Sequence, residues 1–256
     1  MQQKLILRTE RTQTASRLLS FNVPDVDGLF PGFKLGDFAV VFGPHFITSL
    51  VSQLCVRAQL PKPLGGLESK VVFIDAANSS SLSDIIEAAS IQEVDSKAAL
   101  GNVINMRAFT AYRLTSLIME KLEEAVEASG AKLVVISDIA CKFLNDNVDD
   151  QEVKAVYNQI MNYLSSFAKK QRVIVIATYL PHESTSRNSM LQEIASSKAN
   201  TLLRFTKTPY TSEVELEKHP SYMLGVVEFN PEIGTSTNVE VSGNPSSALR
   251  LSYKIL

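Results

Sequence analysis

Four short apolar runs recur along the chain, separated by stretches of a longer period. Phe38-Ala39-Val40-Val41-Phe42, Val71-Val72-Phe73-Ile74, Leu133-Val134-Val135-Ile136 and Val173-Ile174-Val175-Ile176-Ala177 are rich in β-branched side chains and apolar at successive positions. Gly36-Asp37 precedes the first and Gly43-Pro44 follows it. Runs apolar on both faces, closed by turn residues, read as strands buried inside a parallel sheet.

Helical spacing fills the intervals. It covers Leu50 to Leu60, then Leu82, Ile85, Ile86 and Ala89, with Ser81 and Asp84 placed as a capping box. Leu114, Leu117, Ile118, Leu122 and Val126 precede the third run, and Gly130 stands where a C-terminal cap belongs. Val153, Val156, Ile160, Leu164 and Phe167 precede the fourth. Such alternation predicts an α/β fold, a doubly wound and mostly parallel sheet with right-handed crossovers. Beyond residue 200 the runs shorten: Leu202 to Phe205, Tyr222 to Phe229, Asn238 to Val241 and Leu249 to Tyr253. Pro220, Pro231, Gly234, Gly243 and Pro245 punctuate them, so they are expected to extend the sheet with antiparallel strands. Residues 1–20 read as an N-terminal arm and 21–256 as one core domain.

Composition supports this reading. The chain has 256 residues, 45% hydrophobic and 20% charged, a balance that excludes disorder and suffices for one substantial core. A net charge of -2 argues against coating nucleic acid by bulk charge and leaves room for a local basic groove. Cys55 and Cys141 make no disulfide framework. His45, His182 and His219 lie far apart, are expected on the surface or in turns, and imply no metal. The N-terminus does not read as a signal peptide, and no window approaches the 18 apolar residues of a membrane span, so a soluble intracellular protein is expected.

Ligands of open α/β sheets bind at the carboxyl ends of the strands. The first such turn, Phe42-Gly43-Pro44-His45-Phe46-Ile47-Thr48-Ser49, has the frame of a phosphate-binding loop. That loop needs glycines so that backbone N–H groups converge on phosphate, a lysine at the helix start, and a Ser or Thr for Mg²⁺. Gly43, Pro44 and Thr48 are what remains as a degenerate nucleotide contact. Phe46 and Ile47 stand where glycine is wanted, and no lysine occurs between Lys34 and Lys62.

From Val23 to Phe229 the chain resembles the core ATPase domain of the RadA family, the archaeal and eukaryotic relatives of bacterial RecA. Val23-Pro24-Asp25-Val26-Asp27-Gly28-Leu29-Phe30-Pro31-Gly32 is similar to that family's segment before its first core strand. Phe42-Gly43-Pro44 stands at its phosphate loop, and Gln59-Leu60-Pro61 with Gly65-Gly66-Leu67 at its link to the next strand. Val72-Phe73-Ile74-Asp75, Leu133-Val134-Val135-Ile136 and Val175-Ile176-Ala177-Thr178 resemble its later nucleotide and DNA-side strands.

The resemblance implies a RecA-like core with its chemistry removed. The family's lysine and threonine fall on Ser49 and Leu50 counting forward from Gly43, or on Ile47 and Thr48 counting back from Gln59. Its catalytic glutamate falls on Ala77, its second-motif aspartate on Ser137 with Asp138 one step out of register, and its γ-phosphate sensor on Tyr179 and Leu180. A one-residue shift along a strand would turn Asp138 to the opposite face. Phosphoryl transfer depends on positioning and charge stabilisation, so a pseudo-ATPase without cofactor is expected. Asp75 and Asp138 are read as loop-capping residues.

The expected function is that of a non-catalytic RadA-like paralogue, an accessory or mediator in homologous recombination and DNA repair. Its implied partners are a recombinase or another paralogue, and single-stranded DNA, in the cytoplasm or, in a eukaryote, the nucleus. The family's loop after the Thr178 strand touches single-stranded DNA. Here the polar stretch 181–207, expected as a mobile loop, offers Arg187, Lys198, Arg204 and Lys207 against Glu183 and Glu193. The family's arm adds a strand to a neighbouring subunit; Leu5, Ile6 and Leu7 are the matching partner-binding candidates, without that family's Phe/Ala pair. The family's N-terminal helix–hairpin–helix domain is not expected in this chain. Two other readings stand beside this one: a RecA-like nucleotide-binding regulator with a reshaped phosphate loop, and a structural partner without DNA contact.

Overall fold

The structure, a computed structural model, describes residues 18–77, 81–144, 148–208 and 210–230. Its centre is an eight-stranded sheet in the order β3-β2-β4-β5-β1-β6-β7-β8. The predicted buried strands are β1 (Phe38–Phe42), β2 (Val71–Asp75), β4 (Leu133–Ser137) and β5 (Ile174–Tyr179), every residue of them buried. They pair in parallel, as continuous apolar runs require.

Both faces of the sheet are covered. Phe38, Val40 and Phe42 of β1 point into one core with Tyr157, Ile160, Leu164 and Phe167 of α7 (Asp150–Gln171). Ala39 and Val41 point into the other, with Ile47, Leu50, Val51 and Leu54 of α2 (Phe46–Arg57). Asp149 caps α7 by accepting from the Gln151 and Glu152 amides. The third helical pattern is α5 (Ala111–Ser116) running through a π-helical stretch, Leu117–Lys121, into α6 (Leu122–Ser129). It ends at Gly130 with φ 69°, the left-handed cap anticipated there. The second pattern is α3 (Ser81–Ile91), followed by α4 (Ser96–Gly101).

Several elements depart from expectation. β3 (Val103–Arg107) was not anticipated; as an edge strand it is only partly buried, and Asn105 and Arg107 interrupt its apolar pattern. β6 (Thr201–Lys207) pairs with β1 in parallel, and the antiparallel pairings are those of β7 (Ser212–Lys218) with β6 and of β8 (Gly225–Phe229) with β7. The stretch expected as a mobile loop after Pro181 contains α8 (Ser186–Lys198), capped by Thr185 Oγ1, which accepts from the Asn188 amide at 3.1 Å. Asn238–Val241 and Leu249–Tyr253 lie outside the described residues.

The arm boundary falls among ordered groups. Leu19 is fully buried and forms an antiparallel bridge with Phe33. A Cβ on Gly32, whose φ is +135°, would lie 2.7 Å from the Leu19 carbonyl oxygen, so this bridge requires glycine. Phe21, Phe30 and Phe33 then pack edge to face, with α1 (Pro24–Leu29) between them in sequence. Leu5, Ile6 and Leu7 lie outside the described residues.

Candidate functional site

The turn after β1 is short. Strand β1 ends at Phe42 and α2 begins at Phe46, leaving Gly43, Pro44 and His45 between them. A phosphate-binding loop places four residues between its first glycine and the Gly-Lys pair that opens the helix. Here two residues, Pro44 and His45, separate Gly43 from the first residue of α2. Ile47 and Thr48 are the second and third residues of α2.

Each candidate at this turn is held by the protein itself. Ile47 is fully buried in the core beneath α2. A Cβ on Gly43 would come within 2.8 Å of Ile47 Cγ2 and 2.9 Å of both Cβ and the carbonyl oxygen of Phe205. Glycine is thus required by the close approach of α2 and β6. Pro44 accepts from the Ile47 amide at 3.0 Å, and Thr48 Oγ1 donates to the His45 carbonyl at 2.7 Å. His45, the residue before the helix, makes no side-chain capping bond. Between α2 and the strand ends the space lined by Thr48, Ser52, Ser137 and Thr178 amounts to about 10 Å³, roughly one water.

The strand ends carry a polar network. Ser137 Oγ accepts from the amides of Ala76 and Ala77 at 3.1 and 3.2 Å and donates to Asp75 Oδ1 at 3.2 Å. So the hydroxyl, where a carboxylate was expected, caps the turn after β2. Asp75 is fully buried; its Oδ2 makes no hydrogen bond, and Arg107 Nε lies 3.7 Å away. Asp138 sits one residue past β4 in the left-handed region, φ 42°. Its amide donates to Thr178 Oγ1 at 2.8 Å, and its Oδ1 pairs with His182 Nε2 at 2.9 Å and accepts from the Leu180 amide at 3.4 Å. Asp138 therefore ties β4 to the segment after β5.

Burial pushes the Asp138 carboxyl above its usual range, and the His182 bond works against that shift. The Asp138–His182 pair was not anticipated, because 44 residues separate its members in sequence and only the parallel β4–β5 pairing joins them. Tyr179 is buried and donates to Asn188 Oδ1 at 2.6 Å, anchoring the start of α8. Cys141 Sγ donates to the Ala76 carbonyl at 3.2 Å, and burial pushes its thiol up to about 12, which removes it as a nucleophile at neutral pH.

Comparison with known proteins gives this arrangement a lineage. A family model for Rad51 matches residues 24–198. The chain belongs to the Rad51 family. It is 27% identical over 136 residues to the meiotic recombination protein DMC1 of Saccharomyces cerevisiae, covering 53% of this chain and 40% of that protein. It is 30% identical over 142 residues to the DMC1/LIM15 homologue of Mus musculus, covering 54% and 41%. To the DNA repair and recombination protein RadA of Metallosphaera sedula it is 21% identical over 190 residues, covering 73% and 59%. The matches span roughly two fifths to three fifths of those relatives' own lengths.

On this Rad51-family frame the four basic candidates separate. Arg187 is drawn inward: its Nε donates to Asp150 Oδ1 and its Nη2 to the Val148 carbonyl, both at 2.6 Å. It fastens α8 to the start of α7. Arg204 forms a two-pronged ion pair with Glu217 of β7, and its guanidinium lies 4.5 Å from the Phe42 ring centre. Lys198 is half-buried at the end of α8, and Lys207 is exposed at the end of β6. The structure therefore does not gather the four into one basic surface: two are spent on internal contacts. Arg187 in particular is mostly buried and ion-paired, so its guanidinium is turned away from solvent. No described helix is long and apolar enough to cross a membrane.

Proposed function

We propose that this Rad51-family chain is a non-catalytic paralogue serving homologous recombination and DNA repair as an accessory subunit, bound to a recombinase or to another paralogue. One observation carries the reading: the phosphate loop is reduced to Gly43-Pro44-His45, with an apolar side chain, Ile47, buried at the lysine position. The absence of any lysine from residue 35 to 61 supports it, as does the commitment of Asp138 to His182 and of Tyr179 to Asn188. An enzyme of this fold accelerates phosphoryl transfer by charge placed around the γ-phosphate, and those positions here hold Ile47, Ala77 and Tyr179. What the fold retains is a sheet with an apolar core on each face, a scaffold on which a binding subunit can be built.

Single-stranded DNA is a subordinate partner in this proposal, contacted through Lys198 and Lys207. The compartment is that of the recombinase, the nucleus in a eukaryote and otherwise the cytoplasm. The test is affinity capture of the full chain from its own cells after nuclease digestion. Recovery of a Rad51-family protein in near-stoichiometric amount is the expected result. Capture free of any such protein, at native expression level, contradicts the accessory role.

A further inference from the structure

Strand β8 closes the sheet at the end opposite β3, and β7 is its one strand neighbour among the described residues. Its inner face is covered: Val227 and Phe229 join the core beneath α2, and a Cβ on Gly225 would lie 3.3 Å from Leu29 Cδ1 of α1. Side chains alternate along a strand, so Val226 and Glu228 point to the other face. Met223, Leu224 and Val226 are 88%, 54% and 59% exposed, three large apolar side chains within four residues at the edge of the sheet. An edge strand presents a row of N–H and C=O groups to any further strand, and native proteins blunt such rows with charge, proline or a bulge. Strand β8 contains no proline and one charge, Glu228, and it pairs with β7 residue for residue from Phe229 back to Gly225.

The outer face beside this edge is acidic. Val214 and Leu216 of β7 point into the core, which leaves Glu213, Glu215 and Glu217 on the outer face with Val226 and Glu228. Glu217 is paired with Arg204 of β6. Glu213 stands directly opposite Glu228 in the β7–β8 register, and Glu215 stands opposite Val226. Like charges directly opposite each other destabilise an antiparallel pair. Among the described residues none of Glu213, Glu215 and Glu228 is in an ion pair. Lys218, at the end of β7, donates instead to the Ser196 and Ser197 carbonyls at 3.1 Å. No group of three His, Cys, Asp or Glu among the described residues is placed to hold a metal ion, so this face is arranged for a cationic side chain.

We infer that the free edge of β8 is a docking site for an extended segment of a partner protein, which adds as a further strand and carries one basic residue followed, at two-residue spacing, by two aliphatic ones. Main-chain hydrogen bonds along the edge supply affinity, and the alternate side chains choose the partner. The added strand runs antiparallel, continuing the pattern of β6, β7 and β8, and antiparallel pairing is the more stable per residue. In that direction the basic side chain lies across from Glu228, where it relieves the Glu213–Glu228 repulsion. The aliphatic pair lies across from Val226 and beside Leu224, and covers both. Such a site gives the accessory role a surface and a partner chemistry, and it rests on that role only for whose segment docks. Binding at the edge and recovery of a Rad51-family protein are separate measurements, and either fails without the other.

The probe is a fluorescein-labelled synthetic peptide, Thr-Lys-Thr-Val-Thr-Val-Thr, titrated into the full-length protein and read by fluorescence anisotropy, with hydrogen exchange measured on the same mixture. Saturable one-to-one binding is expected, with new protection of β8 amides and none at β3. Glu228→Lys should weaken it about fivefold, because the reversal trades an attractive cross-strand pair for a repulsive one. A peptide with glutamate in place of its lysine should show the opposite order and bind Glu228→Lys better than the parent, an outcome that misfolding of the variant would not produce. The lysine peptide written in reverse should bind less tightly than the original. Overturning results are no binding to the full chain, protection confined to strands other than β8, equal binding of the reversed peptide, or affinity indifferent to the charge exchange. Self-association of the full chain in sedimentation equilibrium, lost in Glu228→Lys, would assign the edge to a second copy and overturn the proposal as well.

Discussion

Replacing Ile47 by lysine, the change that would rewrite the turn toward a phosphate-binding loop, should unfold the protein instead of reviving a nucleotide site. Ile47 is fully buried among Val41, Val51, Leu54, Leu203 and Phe205 in the core beneath α2. These side chains are all apolar and offer no carboxylate to an ammonium group. A lysine there would lose the isoleucine's packing and carry an unpaired charge out of water, a penalty of several kcal/mol. Against a total stability of about 5–15 kcal/mol, that removes most or all of the folded population. Ser49→Lys, two residues along on the exposed side of the same helix, should change stability by less than about 0.5 kcal/mol. Soluble yield and thermal melting by circular dichroism would report both. An Ile47→Lys protein that melts like the parent would show that the turn has room the structure denies it.

Phe205→Ala should be nearly as damaging, by a different route. The Phe205 ring is buried and meets Phe21 at 5.7 Å, Phe46 at 6.1 Å and Phe229 at 5.7 Å between ring centres. These contacts join four parts of the chain: the segment before α1, the first residue of α2, β6 and the last residue of β8. Truncation to alanine would leave a cavity at their meeting point and cost about 3–5 kcal/mol. For a domain of this size that lowers the melting temperature by about 6–20 °C. Phe109→Ala is the control, since that ring is 69% exposed and its loss should be close to neutral. Equal melting temperatures for the two variants would mean that the aromatic cluster does not carry the weight assigned to it.

These two residues also show where the sequence was legible. Buried parallel strands are legible here: β1, β2, β4 and β5 are apolar at almost every position, rich in β-branched residues and closed by turn residues. The shortness of the turn was not legible in this pattern, because a strand ending at Phe42 and a helical period from Leu50 leave residues 43–49 between them, and only the start of α2 at Phe46 shows how few of these form the turn. Strand β7 was equally available, since Val214 and Leu216 alternate with Glu213, Glu215 and Glu217, although no strand was expected there. Helix α8 was harder. Its buried face includes Arg187 and Asn188, polar residues whose partners, Asp150 and Tyr179, come from elsewhere in the fold. Read locally, such residues look like solvated loop.

The strand-end chemistry was the least legible. Ser137 was seen as a lost carboxylate, yet its hydroxyl satisfies two backbone amides and orients Asp75, a role visible only when β2 and β4 lie side by side. Asp138 was expected to face away from the nucleotide side. It lies beyond the strand, in a backbone conformation that aims its carboxylate at Leu180 and His182. Arg187 and Arg204 were legible as positive charge but not as buried or paired charge. Sequence shows that a cation is present; only the fold shows what neutralises it.

The central claim is that the turn between β1 and α2 no longer holds a triphosphate. Isothermal titration of the full chain with Mg²⁺ and a non-hydrolysable ATP analogue tests it most directly, run beside a phosphate-release assay on the same preparation. The account predicts no heat of binding up to millimolar nucleotide and no phosphate release above a protein-free blank. Saturable submillimolar binding of one nucleotide per chain would contradict it and make the protein a nucleotide-binding regulator.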